Sequence, residues 1–249
     1  KRQVLFNSAY NRDSFLQGCA SLLKRLPDYT PAETLALLRD RSQVLPVPYH
    51  PAEIPSGPPG RPGAGGEMPA RPLRLARLGR LEHDKGGDGL YRLLEQLETL
   101  EVDYELAVVG QQFRELPGEF RQIQADFQSR LVHFGYLEEA QAYRSLLRAT
   151  DIALSTAIHE FQGLAMLEAV AAGCLPLVPD RLAYCEIYPA RFRYASMPGT
   201  ESEARAAAGL LCQLAAELCE GSAAPPDVSG FSAHALIGRY TEIFTTLSG

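Results

Sequence analysis

Several features that commonly mark a function are missing from this sequence of 249 residues. It has no run of about twenty apolar residues and no leader peptide, so we expect neither a membrane span nor export. Its composition, 46% hydrophobic and 22% charged, is typical of a soluble enzyme with one α/β domain and appendages. No Cys-x-x-Cys pair occurs, so we expect reduced core thiols and a cytoplasmic protein; the cysteines are Cys19, Cys174, Cys185, Cys212 and Cys219.

Metal-binding and nucleic-acid-binding patterns are missing as well. No Asp-x-Asp pair is present, and His159-Glu160 is not a zinc motif because position 163 is glycine. The formal net charge is -6, and no Lys/Arg-rich run is available to hold nucleic-acid phosphates. The glycines form neither the three-glycine dinucleotide fingerprint nor a Walker loop. We therefore expect no metal and no cofactor.

The segment HEFQGLAMLEAVAAGCLPLVP, residues 159–179, is the most informative part of the sequence. An apolar run at 151–155 predicts a buried strand before it, the stretch from Gly163 to Gly173 predicts a helix, and residues 175–178 predict another strand. In such a parallel unit, ligands bind at the carboxyl ends of the strands, so Glu160 and the residues up to Gly163 would line that rim. Glu168, inside the helix, has the chemistry to accept hydrogen bonds from a ribose diol. The alternative is a solvated pair of surface carboxylates.

The segment LGRLEHDKGG, residues 78–87, also joins a predicted strand, 73–79, to a helical pattern over residues 90–97. Arg80 and Lys85 lie near the start of that helix, and basic side chains beside free N–H groups are what a diphosphate requires. Without an Asp-x-Asp pair to hold a metal, these two cations would neutralise the phosphates. The alternative is that Arg80 pairs with Glu82 or Asp84 at the surface while Lys85 is merely solvated.

The remaining pattern predicts the domain organisation. Strands near 73–79, 104–109, 131–134, 152–155 and 175–178 alternate with helical patterns, which predicts an α/β fold with a doubly wound, Rossmann-like parallel sheet over residues 73–228. Residues 1–50 contain an apolar strand at 4–6, a helix over 8–26 and a short strand at 43–48. The apolar face of that helix consists of Phe15, Leu16, Cys19, Leu22, Leu23 and Leu26. Residues 51–72 hold seven Pro and five Gly and predict a flexible linker.

In this order, and about eighty residues apart, the two motifs resemble the nucleotide-binding half of the retaining GT-B glycosyltransferases of group 1, over roughly residues 73–195. The resemblance implies that Arg80 and Lys85 grip the donor diphosphate, that Glu160 and the backbone after it address the donor sugar, and that Glu168 binds ribose. Arg80, Lys85 and Glu160 are thus the expected catalytic residues. The expected donor-binding residues are Gly79, Gly110, Tyr136, Leu137, Phe161, Gln162, Gly163, Leu164 and Glu168. One departure is that Phe161-Gln162-Gly163 stands where the group has Gly-Phe-Gly.

Weaker candidates surround these residues. Gly110 and the segment HFGYL, residues 133–137, end predicted strands, where backbone groups would read the nucleotide base, although His133 itself reads as structural. The side chains of Tyr184, Glu186 and Tyr188 follow the next strand and are minor candidates for facing the cleft. The resemblance further implies that residues 1–50 are the last elements of an N-terminal acceptor domain, the rest of which is missing from the sequence. The helix at 229–249 would cross back onto that domain, or else cap the core.

A narrower resemblance rests on FNSAYNRDSFL (6–16), GRLEHDKGGDG (79–89), HFGYL (133–137) and STAIHEFQGLAMLEAV (155–170), which are similar to the tRNA-queuosine mannosyltransferase family. It implies a GDP-mannose donor, retention at the anomeric carbon, and queuosine in the tRNA anticodon loop as acceptor. The tRNA would be bound mainly by the missing domain or by Arg2, Arg12, Lys24 and Arg25. Two alternatives stay open: a GT-B enzyme using another nucleotide sugar on a lipid or saccharide, and a non-catalytic nucleotide-sugar-binding module.

Overall fold

The first fifty residues form a small unit of two strands and two helices in the part that the structure, a computed structural model, describes: residues 3–25, 32–50, 71–113 and 115–248. The elements are β1 (Val4–Phe6), α1 (Ala9–Leu23), α2 (Ala32–Asp40) and β2 (Ser42–Val44). β1 and β2 pair in parallel, with Phe6 opposite Val44. Helix α1 begins at Ser8, whose hydroxyl accepts a hydrogen bond from the Asn11 N–H at 3.0 Å, a common N-cap.

The chain after residue 72 forms one parallel sheet of six strands. They are β3 (Leu73–Leu78), β4 (Tyr104–Val109), β5 (Leu131–Gly135), β6 (Ile152–Leu154), β7 (Leu175–Pro179) and β8 (Arg193–Tyr194). The bounds of β3 to β7 agree closely with the predicted strands, because each is a short apolar run between polar turns. The edge strand β8 was not predicted, because its two residues form no apolar run. The short strand predicted at 43–48 is confirmed only for its first residues, since β2 ends at Val44.

The strand order determines which loops become neighbours. Across the sheet the order is β5-β4-β3-β6-β7-β8. The chain adds β4 and β5 on one side of β3, then returns to place β6 on the other side of β3 and continues outward to β7 and β8. This is the doubly wound, Rossmann-like arrangement, and the prediction of it is confirmed. Since β3 and β6 pair directly, with Arg77 opposite Leu154, the loops that follow them open side by side at the carboxyl edge of the sheet.

Helices cover both faces of the sheet. Between β3 and β8 the chain forms α3 (Gly87–Thr99), α4 (Gly118–Asp126), α5 (Ala140–Ala149), α6 (Leu164–Ala171) and α7 (Tyr184–Ile187), and α8 (Glu201–Cys219) follows. Side chains alternate along each strand, so Leu75 packs into a core shared with α3, α4 and α8, while Ala76 packs into a second core shared with α5 and α6. Burial on both faces explains the nearly continuous apolar strands.

The last helix, α9 (Ala233–Ser248), contacts the segment that follows β2. Arg239 Nη2 donates to the Val44 carbonyl at 2.7 Å, and the Tyr240 hydroxyl donates to the Pro46 carbonyl at 2.9 Å. Tyr49 and Ser232 form an isolated parallel bridge just before the helix. The C-terminal segment thus contacts residues 44–49, and its crossing back onto an N-terminal domain stays a prediction. The boundaries at 1–50, 51–72, 73–228 and 229–249 stay a prediction, and most of the proposed linker lies outside the described residues.

Two predictions about apolar side chains are wrong in part. Of the predicted apolar face of α1, Leu16 is buried, but Phe15 is 44% and Leu22 58% exposed, because α1 packs on the small β1–β2 unit along only a narrow stripe; Leu26 lies outside the described residues. None of the five cysteines, all of which lie in the described ranges, forms a disulfide, yet only Cys174 is fully buried, and Cys185 and Cys219 are exposed. No helix in the described parts of the chain is long and apolar enough to cross a membrane.

Candidate functional site

Two loops meet at the centre of the sheet edge: residues 79–86 after β3 and residues 155–163 after β6. The Asp84 carbonyl accepts hydrogen bonds from the N–H groups of Ile158 and His159 at 2.9 and 3.0 Å. The Thr156 hydroxyl donates to the Gly86 carbonyl at 2.8 Å. Gly86 has φ of +69°, and an added Cβ would lie 2.0 Å from the Thr156 carbonyl oxygen, so only glycine fits here. The two loops therefore form one joined surface.

The three expected catalytic residues come together on that surface. Lys85 Nζ donates to Glu160 Oε2 at 3.0 Å and to the His159 carbonyl at 2.8 Å. It also lies 3.7 Å from Asp84 Oδ2, and Arg80 Nη2 lies 3.4 Å from the same oxygen. The Lys85 side chain is only 12% exposed, whereas that of Arg80 is 51% exposed. The surface pairing of Arg80 with Asp84 is thus present, but Lys85 is not merely solvated.

The carboxylate of Glu160 is held by its own loop as well as by Lys85. Glu160 Oε1 accepts from the backbone N–H groups of Phe161 at 3.0 Å and Gln162 at 3.4 Å. The loop then turns at Gly163, where φ is +78° and an added Cβ would approach the Tyr184 ring to 3.0 Å. Burial, followed by the Glu160 charge, raises the pKa of Tyr184, whose hydroxyl donates to Ser155 Oγ at 2.7 Å. Lys85 and the backbone of its own loop therefore hold Glu160 in a defined orientation.

The Gln162 side chain connects two distant segments of the chain. Its side chain is buried, and the amide forms a two-way pair with the backbone of Val47: the Val47 N–H donates to Gln162 Oε1 at 2.8 Å, and Gln162 Nε2 donates to the Val47 carbonyl at 2.6 Å. The side chain therefore joins the loop after β6 to the segment after β2. That the backbone after Glu160 addresses a donor sugar stays a prediction. Phe161 beside it is 48% exposed.

A cavity of about 360 Å³ opens beside Arg80 at the ends of β3, β4 and β5. It brings together the predicted residues Gly79, Arg80, Gly110, Tyr136 and Leu137. The loops that form it approach very closely, since a Cβ added to Gly110 would lie 1.8 Å from the Gly79 carbonyl oxygen. The remaining wall consists of Leu78, Val109, Gln111, Glu138, Ala140, Tyr143 and Ala165.

A second cavity, of about 170 Å³, adjoins the first, and Ala140 and Tyr143 border both. It contains the predicted residues Leu164 and Glu168. The Tyr143 hydroxyl donates to Glu168 Oε2 at 2.8 Å, and burial followed by the Glu168 charge raises the Tyr143 pKa. The carboxylate on α6 is thus oriented by a tyrosine from α5. The other lining residues are Pro48, Tyr49, His50, Arg144, Leu147 and Ala172.

Several residues of this region are not among those that the sequence motifs predict. Tyr143 carries no motif signal, because it lies within an ordinary amphipathic helix, and Tyr49 reaches the second cavity from outside the sheet domain. Arg77 does stand out in the sequence, because it is a charged residue within the apolar strand LRLARL.

The minor candidates have other partners. His133 Nε2 lies 3.1 Å from the Gly135 carbonyl, in keeping with a structural role. Tyr184 and Tyr188 are buried in the core, and Glu186 accepts hydrogen bonds from the Ala9 and Tyr10 N–H groups, at 3.0 and 2.5 Å, at the start of α1. Within the described ranges, no group of three or more His, Cys, Asp or Glu side chains is arranged to hold a metal ion.

Comparison with known proteins defines the class. Residues 67–208 match the family model described as glycosyl transferases group 1, and the chain belongs to that family. Residues 1–49 match the model described as tRNA-queuosine alpha-mannosyltransferase N-terminal. The chain is also 38% identical over 187 residues to the tRNA-queuosine alpha-mannosyltransferase of Drosophila melanogaster. That match takes in 75% of this chain but 49% of the Drosophila protein, so the chain spans about half the length of this relative. The family resemblance read from the motifs is confirmed.

Solved structures confirm the fold. Sucrose-phosphate synthase from Thermosynechococcus elongatus superposes with a TM-score of 0.65 at 17% identity, covering 94% of this chain and 62% of that one. HepE from Anabaena, in complex with UDP and glucose, superposes with a TM-score of 0.66 at 15% identity, covering 99% and 63%. At these identities the likeness concerns the fold alone. The predicted GT-B type α/β fold is thereby confirmed.

Proposed function

We propose that this protein transfers mannose from GDP-mannose to queuosine in the tRNA anticodon loop, with retention at the anomeric carbon and without a metal ion or cofactor. The observation that carries the proposal is the 38% identity to a tRNA-queuosine alpha-mannosyltransferase in a chain whose two central loops bring Arg80, Lys85 and Glu160 together. In doubly wound sheets, ligands bind at this edge, where the strand order reverses. The proposal extends to the whole protein what the relative's name says of that relative.

The donor nucleoside would occupy the two adjoining cavities. The guanine base would lie in the larger one, against backbone groups at Gly110 and at Tyr136 and Leu137, where strands β4 and β5 end. The ribose would lie toward Glu168. A carboxylate has about four acceptor positions, so Glu168 can accept from the Tyr143 hydroxyl and from ribose hydroxyls together.

The diphosphate would lie between Arg80 and Lys85, with the sugar toward Glu160. An ammonium has three N–H donors, and Lys85 uses two of them on Glu160 and the His159 carbonyl, which leaves the third for a phosphate oxygen. Arg80 is half exposed, and within the described residues its guanidinium has one long contact, with Asp84, so it can turn to the phosphates. As the glycosidic bond breaks, negative charge develops on the leaving diphosphate. These cations would stabilise that charge.

The charges of the chain favour a tRNA acceptor less clearly than they favour a diphosphate donor. At a net charge of -6, nucleic-acid binding would depend on local cations rather than on the overall field. On α1, Arg12 pairs with Asp13 at 2.8 Å, and Lys24 and Arg25 lie exposed after its end, while Arg2 lies outside the described residues. These residues belong to the segment that matches the queuosine-specific family model. We expect transfer to tRNA to weaken as salt is raised.

Isothermal titration with GDP, GDP-mannose, UDP and UDP-glucose tests the donor half of the proposal. We expect preference for the guanine pair and, for Glu168→Ala, a loss of roughly 1 to 3 kcal/mol of binding free energy, the range for leaving a buried polar partner unsatisfied. Glu95→Ala, an exposed glutamate on α3, is the matched control and should bind like the unchanged chain. Preference for UDP, or unaltered GDP binding by Glu168→Ala, would contradict the assignment.

A transfer assay with the full-length protein tests the reaction. Labelled mannose should pass to tRNA that contains queuosine and not to the same tRNA without it. Arg80→Ala and Lys85→Ala should lower kcat much more than they lower Tm, whereas Arg74→Ala, an exposed position on β3, should change neither. Unchanged turnover in both loop variants would refute the role of the cations, and transfer only to a lipid or saccharide would refute the acceptor.

A further inference from the structure

Arg77, on β3 directly before the diphosphate loop, is a buried cation that no role above uses. The residue is only 1% exposed and is the largest fully buried side chain among the described residues. Arginine is almost never fully buried unless it is paired with an acid. In the described part of the chain, however, Arg77 forms no ion pair within 4.0 Å, and its partners are backbone carbonyls and an aromatic ring.

Those carbonyls all belong to the loop that carries the donor-binding cations. Arg77 Nη1 donates to the Gly79 carbonyl at 2.6 Å, and Nη2 donates to the carbonyls of Arg80 and Lys85 at 3.0 and 3.3 Å. One planar guanidinium therefore joins the beginning of the loop to its end. Its Cζ lies over the Phe120 ring, 4.8 Å from the ring centroid. The fork geometry of arginine suits this arrangement, and lysine cannot reproduce it.

Burying the charged guanidinium of Arg77 costs free energy, so we expect the charge to have a function. Burial lowers the pKa of Arg77 to about 10, against the smaller opposing effects of Tyr184 and Asp84. The group is therefore still protonated at neutral pH, in a region where charges are poorly screened. With its donors turned to Gly79, Arg80 and Lys85, the positive charge lies beneath the loop whose outer side would meet the donor phosphates.

We propose that Arg77 is a positioning residue for the donor diphosphate, acting in two ways. It fixes the loop of residues 79–86 so that the Arg80 and Lys85 side chains converge, and it adds a fixed positive charge beneath the phosphates. This inference rests on the proposed function only in requiring a nucleoside diphosphate at this loop. A neutral nucleoside should therefore be nearly indifferent to Arg77, whereas a nucleoside diphosphate should depend on it.

The test compares a nucleoside diphosphate with its own nucleoside. Titration of the full chain with GDP and guanosine, and with UDP and uridine, first shows which pair it binds. We expect Arg77→Met to lower affinity for the diphosphate by about tenfold or more while nucleoside affinity changes little, since only the diphosphate carries charge near the loop. Arg77→Lys should lower diphosphate affinity by a smaller factor than Arg77→Met does, because lysine keeps the positive charge but not the forked guanidinium.

Arg74→Met is the matched control, because it lies on the same strand with a 44% exposed side chain beside Glu105. If the Arg77 variants lose equal factors of affinity for the diphosphate and for the nucleoside, the role of Arg77 is purely structural and the proposal is overturned. Wild-type diphosphate affinity in both variants would overturn it as well. If Arg77→Met does not fold, the ratio of diphosphate affinity to nucleoside affinity in Arg77→Lys decides alone.

Preference for the uracil pair would refute GDP as the donor nucleotide, and the Arg77 variants would then be tested with UDP and uridine. Binding of neither diphosphate by the folded chain would refute both proposals.

Discussion

Removing the Gln162 side chain should weaken the attachment between the donor loop and the segment after β2. Gln162→Ala deletes both hydrogen bonds of the amide to Val47 and leaves the Val47 N–H and carbonyl without their partners. A neutral hydrogen bond contributes about 0.5 to 1.5 kcal/mol net, and an abandoned buried group costs about 1 to 3 kcal/mol. Val47 is 38% exposed, so water can reach part of its backbone, and we expect a total loss of roughly 2 kcal/mol.

Urea unfolding followed by far-UV circular dichroism measures this loss, since the chain has no tryptophan to provide a fluorescence signal. In a protein of this size, a loss of roughly 2 kcal/mol corresponds to a decrease in Tm of about 4 to 8 °C. Gln162→Glu should be worse, because its carboxylate would face the Val47 carbonyl with no proton to donate. Gln124→Ala, an exposed glutamine on α4, is the control. If Gln162→Ala unfolds like that control, the side-chain pairing contributes nothing and the reasoning is wrong.

Three further predictions concern other contacts of the same region. Tyr143→Phe should weaken GDP binding by about 1 kcal/mol with little change in Tm, because it removes only a hydroxyl; unchanged calorimetric affinity would count against it. Gly110→Ala should cost at least about 2 kcal/mol of folding free energy, because the new Cβ would collide with the Gly79 carbonyl, whereas Gly118→Ala meets nothing within 4 Å; equal stability of the two would disprove the collision. Glu186→Gln should lower unfolding free energy by about 0.5 to 1 kcal/mol by removing a negative charge from the N-terminus of α1, and high salt should shrink the difference.

The local pattern was sufficient to predict five of the six strands of the sheet domain. Strands β3 to β7 are short apolar runs bounded by polar turns, so their positions follow from neighbours along the chain. The two strand–loop–helix motifs likewise predicted Arg80, Lys85 and Glu160 at loop positions. Gly86 shows why such loops need glycine, since its positive φ and its contact with Thr156 exclude any side chain.

What the sequence by itself determined is therefore which segments form strands and which residues lie at their carboxyl ends. Only the tertiary structure decided that β3 and β6 are adjacent, which places Lys85 3.0 Å from Glu160 across seventy-five positions of sequence. It also decided that the Gln162 side chain pairs with Val47, and that Tyr143 donates a hydrogen bond to Glu168. These partners come from distant parts of the chain. The order in which strands pair, and the side on which each helix packs, determine them, and neither is encoded in the local periodicity of residues.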